Sequence, residues 1–201
     1  MRYLCLLVLI LTSPYFAATV CADGFHDDFS DPTFESRQAL RGEWKFEDQQ
    51  ASCVSDPELY KKFANHGPIL RWPIKMTDGT CSFQFQPKGC QRIVITFNDK
   101  GHVFRIALAD EKITRAFGWI GQSSKENKPK TIAKEGVPTL DSLDGKWNDF
   151  KLAIKDDKAD LLIGDRVLKL QHASLARTKG EFTISFASGE LAVRDVALTS
   201  N

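Results

Sequence analysis

The sequence carries almost no excess charge: 27 Lys and Arg stand against 26 Asp and Glu. Without a field of one sign, a chain has no general affinity for nucleic acid and no electrostatic hold on an anionic membrane surface. It also lacks any long apolar segment repeating every 3.6 residues, which excludes a helical bundle. The four histidines, His26, His66, His102 and His172, show no zinc-ligand spacing. There is no Gly-rich phosphate loop, and no Ser-His-Asp set can be read out. The acid pairs Asp27 with Asp28, Asp141 with Asp144, and Asp156 with Asp157 sit where acids are ordinary, in turns and near chain ends. No pair reads as the two carboxylates that glycoside hydrolysis sets across a groove, so the expectation leans away from catalysis.

Residues 1–22 are read as a signal peptide rather than as part of the fold. Arg2 precedes an apolar run from Leu4 to Leu11, and Val20-Cys21-Ala22 supplies a small-residue cut site before Asp23. The run is too short to span a bilayer comfortably, and no later segment could cross a membrane. The expected product is an exported chain, periplasmic or extracellular, made of one domain over 23–201. Arg2 is the one charged residue removed, so Lys and Arg fall to the same 26 as the acids. Cysteine is scarce: of five, Cys5 and Cys21 leave with the signal, and Cys53, Cys81 and Cys90 remain. An odd number in an oxidising compartment leaves at least one thiol unpaired. Cys81 and Cys90 are expected not to pair with each other. Either Cys53 bridges to one of them, or all three are buried thiols.

What the chain has in quantity is alternation. Phe150 to Ile154 and Phe182 to Phe186 alternate with period two, and Ala159 to Ile163 turns through Gly164-Asp165 into Arg166 to Leu170. Gly42 to Val54 reads as a strand or hairpin, and Lys112 to Ile120 as a further strand. His66 to Pro73 is a short extended segment whose prolines confine it to an edge or a bend. Residues 121–136, Lys-rich and containing Pro129, form an exposed loop. Some ten to twelve short strands with turns between them describe an all-β, two-sheet antiparallel sandwich or jelly roll.

The most regular stretch is Asp78 to Asp110. Cys81, Phe83 and Phe85 alternate with polar residues, as do Ile93, Ile95 and Phe97, and Val103 to Leu108 follows a turn. Symmetric turns would make this a three-stranded meander with Phe83 opposite Ile93, Ile93 opposite Ile106, Ile95 opposite Phe104, and Phe97 opposite His102. One face is then apolar, with His102 on it as a structural histidine. The reverse face carries Gln84, Arg92 and Arg105, with Gln84 beside Arg92 and Val94 beside Arg105.

The order Trp147, FKLAI, a turn, ADLLIGDRVL and then GEFTISFASGELAVRDVAL resembles the closing half of concanavalin A-like lectin/glucanase jelly rolls. DDF near Asp28 and GEWKFED near Trp44 resemble its opening half. Secreted bacterial members include the 3-keto-disaccharide hydrolase type. The glucanase Glu-x-Asp-x-x-Glu strand is missing, as are the Asn-Ser-Gly and Gly-Tyr-Glu-x-Gln segments of the keto-disaccharide type. The resemblance implies carbohydrate recognition on the open face of one sheet. The alternatives are a glycoside-processing hydrolase of that type and a structural exoprotein. On this reading Gln84, Arg92 and Arg105 form the glycan site, with His66 and Trp72 at its rim; a core role for Trp72 stays open. The resemblance also implies a structural calcium between Asp28 and Asp195, and no other cofactor. The expected partner is a carbohydrate or glycan, not nucleic acid, and not a membrane once the signal is cleaved. Mass spectrometry of the exported protein should find Asp23 at its N-terminus; a retained Met1 would overturn the export reading.

Overall fold

A computed structural model describes residues 24–201; the signal-peptide reading lies outside them. The described chain forms fifteen strands, one short α-helix and one 3-10 turn (Leu140–Ser142): β1 (Gly24–Asp27), β2 (Gln38–Leu40), β3 (Lys45–Glu47), β4 (Gln50–Val54), α1 (Pro57–Lys62), β5 (Ile69–Met76), β6 (Gly79–Lys88), β7 (Arg92–Asn98), β8 (His102–Leu108), β9 (Arg115–Gly118), β10 (Lys130–Ala133), β11 (Asn148–Lys155), β12 (Lys158–Ile163), β13 (Arg166–Gln171), β14 (Lys179–Ala187) and β15 (Glu190–Ser200). They pair antiparallel into two sheets. The first runs β13-β12-β11-β6-β15-β4-β3, with β1 also on β15; the second runs β10-β9-β8-β7-β14-β5-β2. The two-sheet sandwich read from the alternation is the observed architecture. No helix among the described residues is long and apolar enough to cross a membrane.

Period-two patterning turns one side of each strand inward, and the inward sides meet face to face. Phe182 of β14 stands at the middle of the core. Its ring centroid lies 5.4 Å from that of Trp72, 5.1 Å from Phe97 and 6.0 Å from Phe83 of the opposite sheet. Phe83 in turn stacks on Phe150 at 4.5 Å. Every residue of the predicted apolar face, Phe83, Phe85, Ile93, Ile95, Phe104 and Ile106, is buried here.

The meander itself is corrected. β6 pairs with β11 and β15 in the first sheet, while β7 pairs with β8 and β14 in the second. Phe83 therefore does not face Ile93; the chain between β6 and β7 arches from one sheet to the other, with Gly89 at φ 65°. A short glycine loop between two alternating strands serves an arch as well as a hairpin, because alternation sets the buried face and not the partner. The β7–β8 hairpin exists but is displaced by two residues: Ile93 opposes Leu108, Ile95 opposes Ile106, and Phe97 opposes Phe104. An even displacement keeps each side chain on its expected face. A bulge beyond Phe97 then pairs Asn98 with His102, which moves His102 off the apolar face.

The other local readings resolve as follows. Gly42 to Val54 contains the hairpin β3–β4, turning at Asp48 and Gln49, both with positive φ. The proline segment becomes β5, one strand in from the edge; β2 covers only Ile69 to Arg71, so that side of the strand is open at Pro73. The loop 121–136 includes the short strand β10. Cys53, Cys81 and Cys90 are all free thiols, so Cys81 and Cys90 are unpaired as expected. Cys81 is in the core of the first sheet and Cys90 is on the arch.

One polar cluster lies within this core. Asp27 at the end of β1 accepts Arg37 Nη1 at 2.6 Å and Trp72 Nε1 at 3.0 Å, and both members of the ion pair are 2% exposed. The Arg37 guanidinium lies over Phe46 at 4.1 Å and donates to the Asp31 carbonyl at 2.6 Å. Removing one partner of a buried pair leaves the other charge uncompensated, at a cost of about 3–5 kcal/mol. Asp27→Ala should lower unfolding free energy by that order in a urea titration; a loss below about 1 kcal/mol would show that Asp27 is not holding Arg37 and Trp72 in place.

Candidate functional site

Strands β7 and β14 lie at the centre of the second sheet, and midway along them the outward side chains, Val94, Thr96, Thr183 and Ser185, are small. The registers align Arg105, Thr96, Thr183 and Arg71 in one row across β8, β7, β14 and β5. At a strand spacing of about 4.8 Å, the two arginines stand ~14 Å apart at their Cα atoms. Beside this row Val94 pairs with Ala107 and Ser185, and one further step along, Arg92 pairs with Ala187. Long cationic arms around a low floor make a groove of about 320 Å³, at the lower end of ligand-site sizes.

The rim comes from the helix and the chain after it. Asp56 caps α1, accepting from the backbone N–H of Glu58 at 2.7 Å and of Leu59 at 3.2 Å, with Pro57 in the first turn. Ala64 and Asn65 take positive φ and turn the chain back towards the sheet. Gly67 then passes so close to β14 that an added Cβ would meet the Phe186 carbonyl oxygen at 1.9 Å. This contact seats Tyr60, Asn65 and His66 along the groove edge. His66 Nδ1 lies 3.0 Å from the carbonyls of both Phe63 and Ala64. Carbonyls only accept, so Nδ1 carries a proton and donates to them.

A continuous hydrogen-bonded chain crosses the other end of the floor. Arg105 Nη2 lies 2.8 Å from His102 Nε2, His102 Nδ1 is 2.8 Å from Asn98 Oδ1, and Asn98 Nδ2 donates to Glu181 Oε1 at 2.7 Å. Arginine can only donate, so Nε2 accepts and Nδ1–H donates, which makes His102 neutral in this arrangement. Glu181 Oε2 lies 3.0 Å from Arg71 Nε, close enough for an ion pair but without hydrogen-bond alignment. The His102 ring rests against Trp119 at 5.1 Å, and the Arg105 guanidinium lies 5.5 Å from the Trp119 ring centroid. Burial, followed by the charge of Arg92, holds Arg105 below its ordinary pKa. Arg105 Nε is buried and has no hydrogen-bond partner.

Of the residues expected at the site, Arg92, Arg105 and His66 meet in this groove. Gln84 does not. It lies on the outer face of the first sheet, donating to Asp149 at 2.7 Å and accepting Arg194 Nε at 2.6 Å. It was placed with Arg92 through the hairpin that proved to be an arch. Arg105 stands opposite Thr96 rather than beside the Val94 pair. Trp72 is 0% exposed and belongs to the core; strand alternation makes its neighbour Arg71 the groove residue instead. Trp119, against which His102 and Arg105 rest, is also buried. Asn98, His102, Glu181 and Arg71 were missed. Glu181, Thr183 and Ser185 do alternate outward in GEFTISF, but nothing local says that β14 is the neighbour of β7.

The two acids expected to hold calcium lie near each other by the pairing of β1 with β15. Asp28 Oδ1 is already engaged by the backbone N–H and hydroxyl of Ser30, at 2.9 and 2.6 Å. Asp195 is 3.9 Å from His26 Nε2. No group of three or more His, Cys, Asp or Glu gathers among the described residues. Calcium takes six to eight oxygens, and these two side chains do not supply such a set.

No family model and no curated relative matches the sequence. Solved structures do match in shape. The carbohydrate-binding module CBM66 from Bacillus subtilis superposes with a TM-score of 0.58 at 14% identity, over 82% of this chain and 96% of that one. The CBM2 module of the evolved Dit protein of Lactobacillus casei BL23 phage J-1 gives 0.61 at 11% identity, over 87% and 93%. The β-glucanase of Bacillus licheniformis gives 0.60 at 8% identity, over 90% and 99%. The chain has the concanavalin A-like jelly-roll fold. Identities this low carry the architecture and leave the chemistry to the residues in the groove.

Those residues have a pH signature. Burial first, and then Arg105, lowers the His102 pKa, with Glu181 opposing; His172 is lowered by burial and Lys130. Since the unfolded side chain titrates near 6.5, the unfolded state takes up protons first as pH falls. The stability contributed by neutral His102 is thus complete above about pH 6.5 and is lost as pH drops from there towards its folded pKa. Melting temperature measured between about pH 7.5 and about pH 5.5 should decline, and His102→Gln should flatten the decline without abolishing it, because His172 remains. An unchanged slope in that variant would place His102 outside this balance.

Proposed function

We propose that this chain is an exported carbohydrate-binding domain whose ligand site is the groove on the outer face of the second sheet. The observation carrying this reading is the make-up of the groove. Planar, multidentate side chains, namely Arg71, Arg92, Arg105, Asn98, His66 and His102, surround a floor of Thr96, Val94, Thr183 and Ser185. Guanidinium, amide and imidazole groups are suited to bonding the many hydroxyls of a sugar, and Val94 with the methyl groups of Thr96 and Thr183 offers apolar surface to its C–H face. Jelly rolls of the same architecture include carbohydrate-binding modules and glycoside hydrolases, which supports a carbohydrate-related role of either kind.

Binding is favoured over hydrolysis by the acids. Glu181 is the single carboxylate among the described residues lining the groove, and it is engaged by Asn98 and Arg71. Hydrolysis of a glycosidic bond ordinarily uses two carboxyl groups about 5–10 Å apart. A glycan array followed by calorimetry on the best ligand should find binding that Val94→Trp, which fills the floor, abolishes without lowering the melting temperature by more than a few degrees. Release of reducing ends from the bound glycan would shift the reading to a hydrolase. Binding untouched by Val94→Trp would place the site elsewhere.

A further inference from the structure

The groove gathers cations that the protein does not neutralise. Four arginines, Arg41, Arg71, Arg92 and Arg105, line it together with the lone carboxylate of Glu181. Arg71 has Glu181 as its partner at 3.0 Å. Arg41, Arg92 and Arg105 have no carboxylate within ion-pair distance among the described residues, although eight such pairs occur elsewhere and across this same face. The sequence as a whole has only one more Lys and Arg than Asp and Glu, so this concentration is local. Arginine stays protonated in proteins, and crowding like charges costs free energy that an anion would return. Arg105 is the sharpest case. Its Nε is buried and unpartnered, and the side-chain bonding seen for its head group goes to the neutral ring of His102. The guanidinium fork can bond carboxylate or sulfate oxygens in pairs, so a ligand anion would supply the partner that the protein withholds.

We infer that the groove selects saccharides bearing anionic groups, carboxylate or sulfate, with the anion seated against Arg105 and Arg92. This rests on the reading of the groove as a glycan site. The floor separates Arg105 from Arg71 by two small threonines in register, so a sugar ring can lie over Thr96 and Thr183 while its acidic substituent reaches the Arg105 side. Neutral His102 then acts as a positioning residue: by accepting from Arg105 Nη2 it orients the fork without adding charge of its own.

Matched pairs of probes separate charge from sugar. Dextran sulfate against dextran tests the sulfate ester, and polygalacturonate against its methyl ester tests the carboxylate, each titrated calorimetrically into the mature chain. Sodium sulfate alone provides the small-anion arm. At least one acidic member should bind tenfold or more tightly than its neutral twin, weaken as salt rises from about 50 to about 200 mM, and outcompete sodium sulfate at equal anion concentration. Arg92→Ala, at an exposed strand start, and Arg105→Lys, which keeps the charge but loses the fork, should each weaken the acidic ligand at least fivefold with an unchanged melting temperature. Equal binding of charged and neutral twins, lost in Val94→Trp, would overturn the charge selectivity and leave the glycan site standing. Binding of neither twin would overturn both. Acidic-glycan binding indifferent to Arg92→Ala and Arg105→Lys together, or matched by sodium sulfate alone, would overturn the assignment to this groove.

Discussion

Everything in this molecule depends on closing two alternating sheets over a dry interior centred on Phe182. Its ring touches Trp72 and Phe97 within its own sheet and Phe83 across the gap. A side chain of this kind withdraws some 150–250 Å² of surface from water, and neighbours at ring-centroid distances of 5–6 Å leave no room for a polar group without a partner. The buried ion pair of Asp27 with Arg37 is tolerated because each member has partners: Trp72 and the Phe29 amide bond the carboxylate, while the guanidinium lies over aromatic faces and donates to a carbonyl. It ties the first strand of one sheet to a central tryptophan of the other.

The groove is the reverse side of that same closure. On β14 the residues that alternate with Phe182, Ile184 and Phe186 are Glu181, Thr183 and Ser185, and on β7 those alternating with Ile93, Ile95 and Phe97 are Arg92, Val94, Thr96 and Asn98. Large residues inward and, midway along both strands, the small Val94, Thr96, Thr183 and Ser185 outward leave a trough, and the longer arms of Arg71, Arg92 and Arg105 form its sides. The charges of Arg71, Arg92 and Arg105 therefore sit on hydrogen-bonded strands of the sheet. An arginine held by a sheet loses less freedom on meeting a ligand than one on a loop, which is how preorganisation favours affinity.

Much of this is legible in the sequence. Arg92, Arg105 and His66 were singled out and do converge; parity alone was enough for the two arginines, since the true hairpin differs from the symmetric one by an even step. His102 was misplaced by one bulge, an insertion that leaves no trace in a pattern of apolar and polar residues. Trp72 was drawn to the rim because exposed tryptophan is a familiar sugar platform. Its place between Arg71 and Pro73 is equally compatible with the core, and only the packing of Phe182 and the Asp27 carboxylate decides for the latter.

Gln84 marks the boundary between the two kinds of information. By itself the sequence determined that the chain is a β-sandwich and which side chains of each strand turn inward, because burial follows a period of two along a single strand and needs no knowledge of neighbours. Strand adjacency was not determined locally: Gly89 permits either a hairpin or an arch, and β6 joins β11 and β15, strands from the far end of the chain. That choice sent Gln84 to one surface and Arg92 to the opposite one, and it brought Glu181, Asn98 and Arg71 together from β14, β7 and β5. Only the tertiary structure decided it, since the free energy that selects strand partners lies in the side-chain contacts made across and between complete sheets, and no single segment carries those contacts within itself.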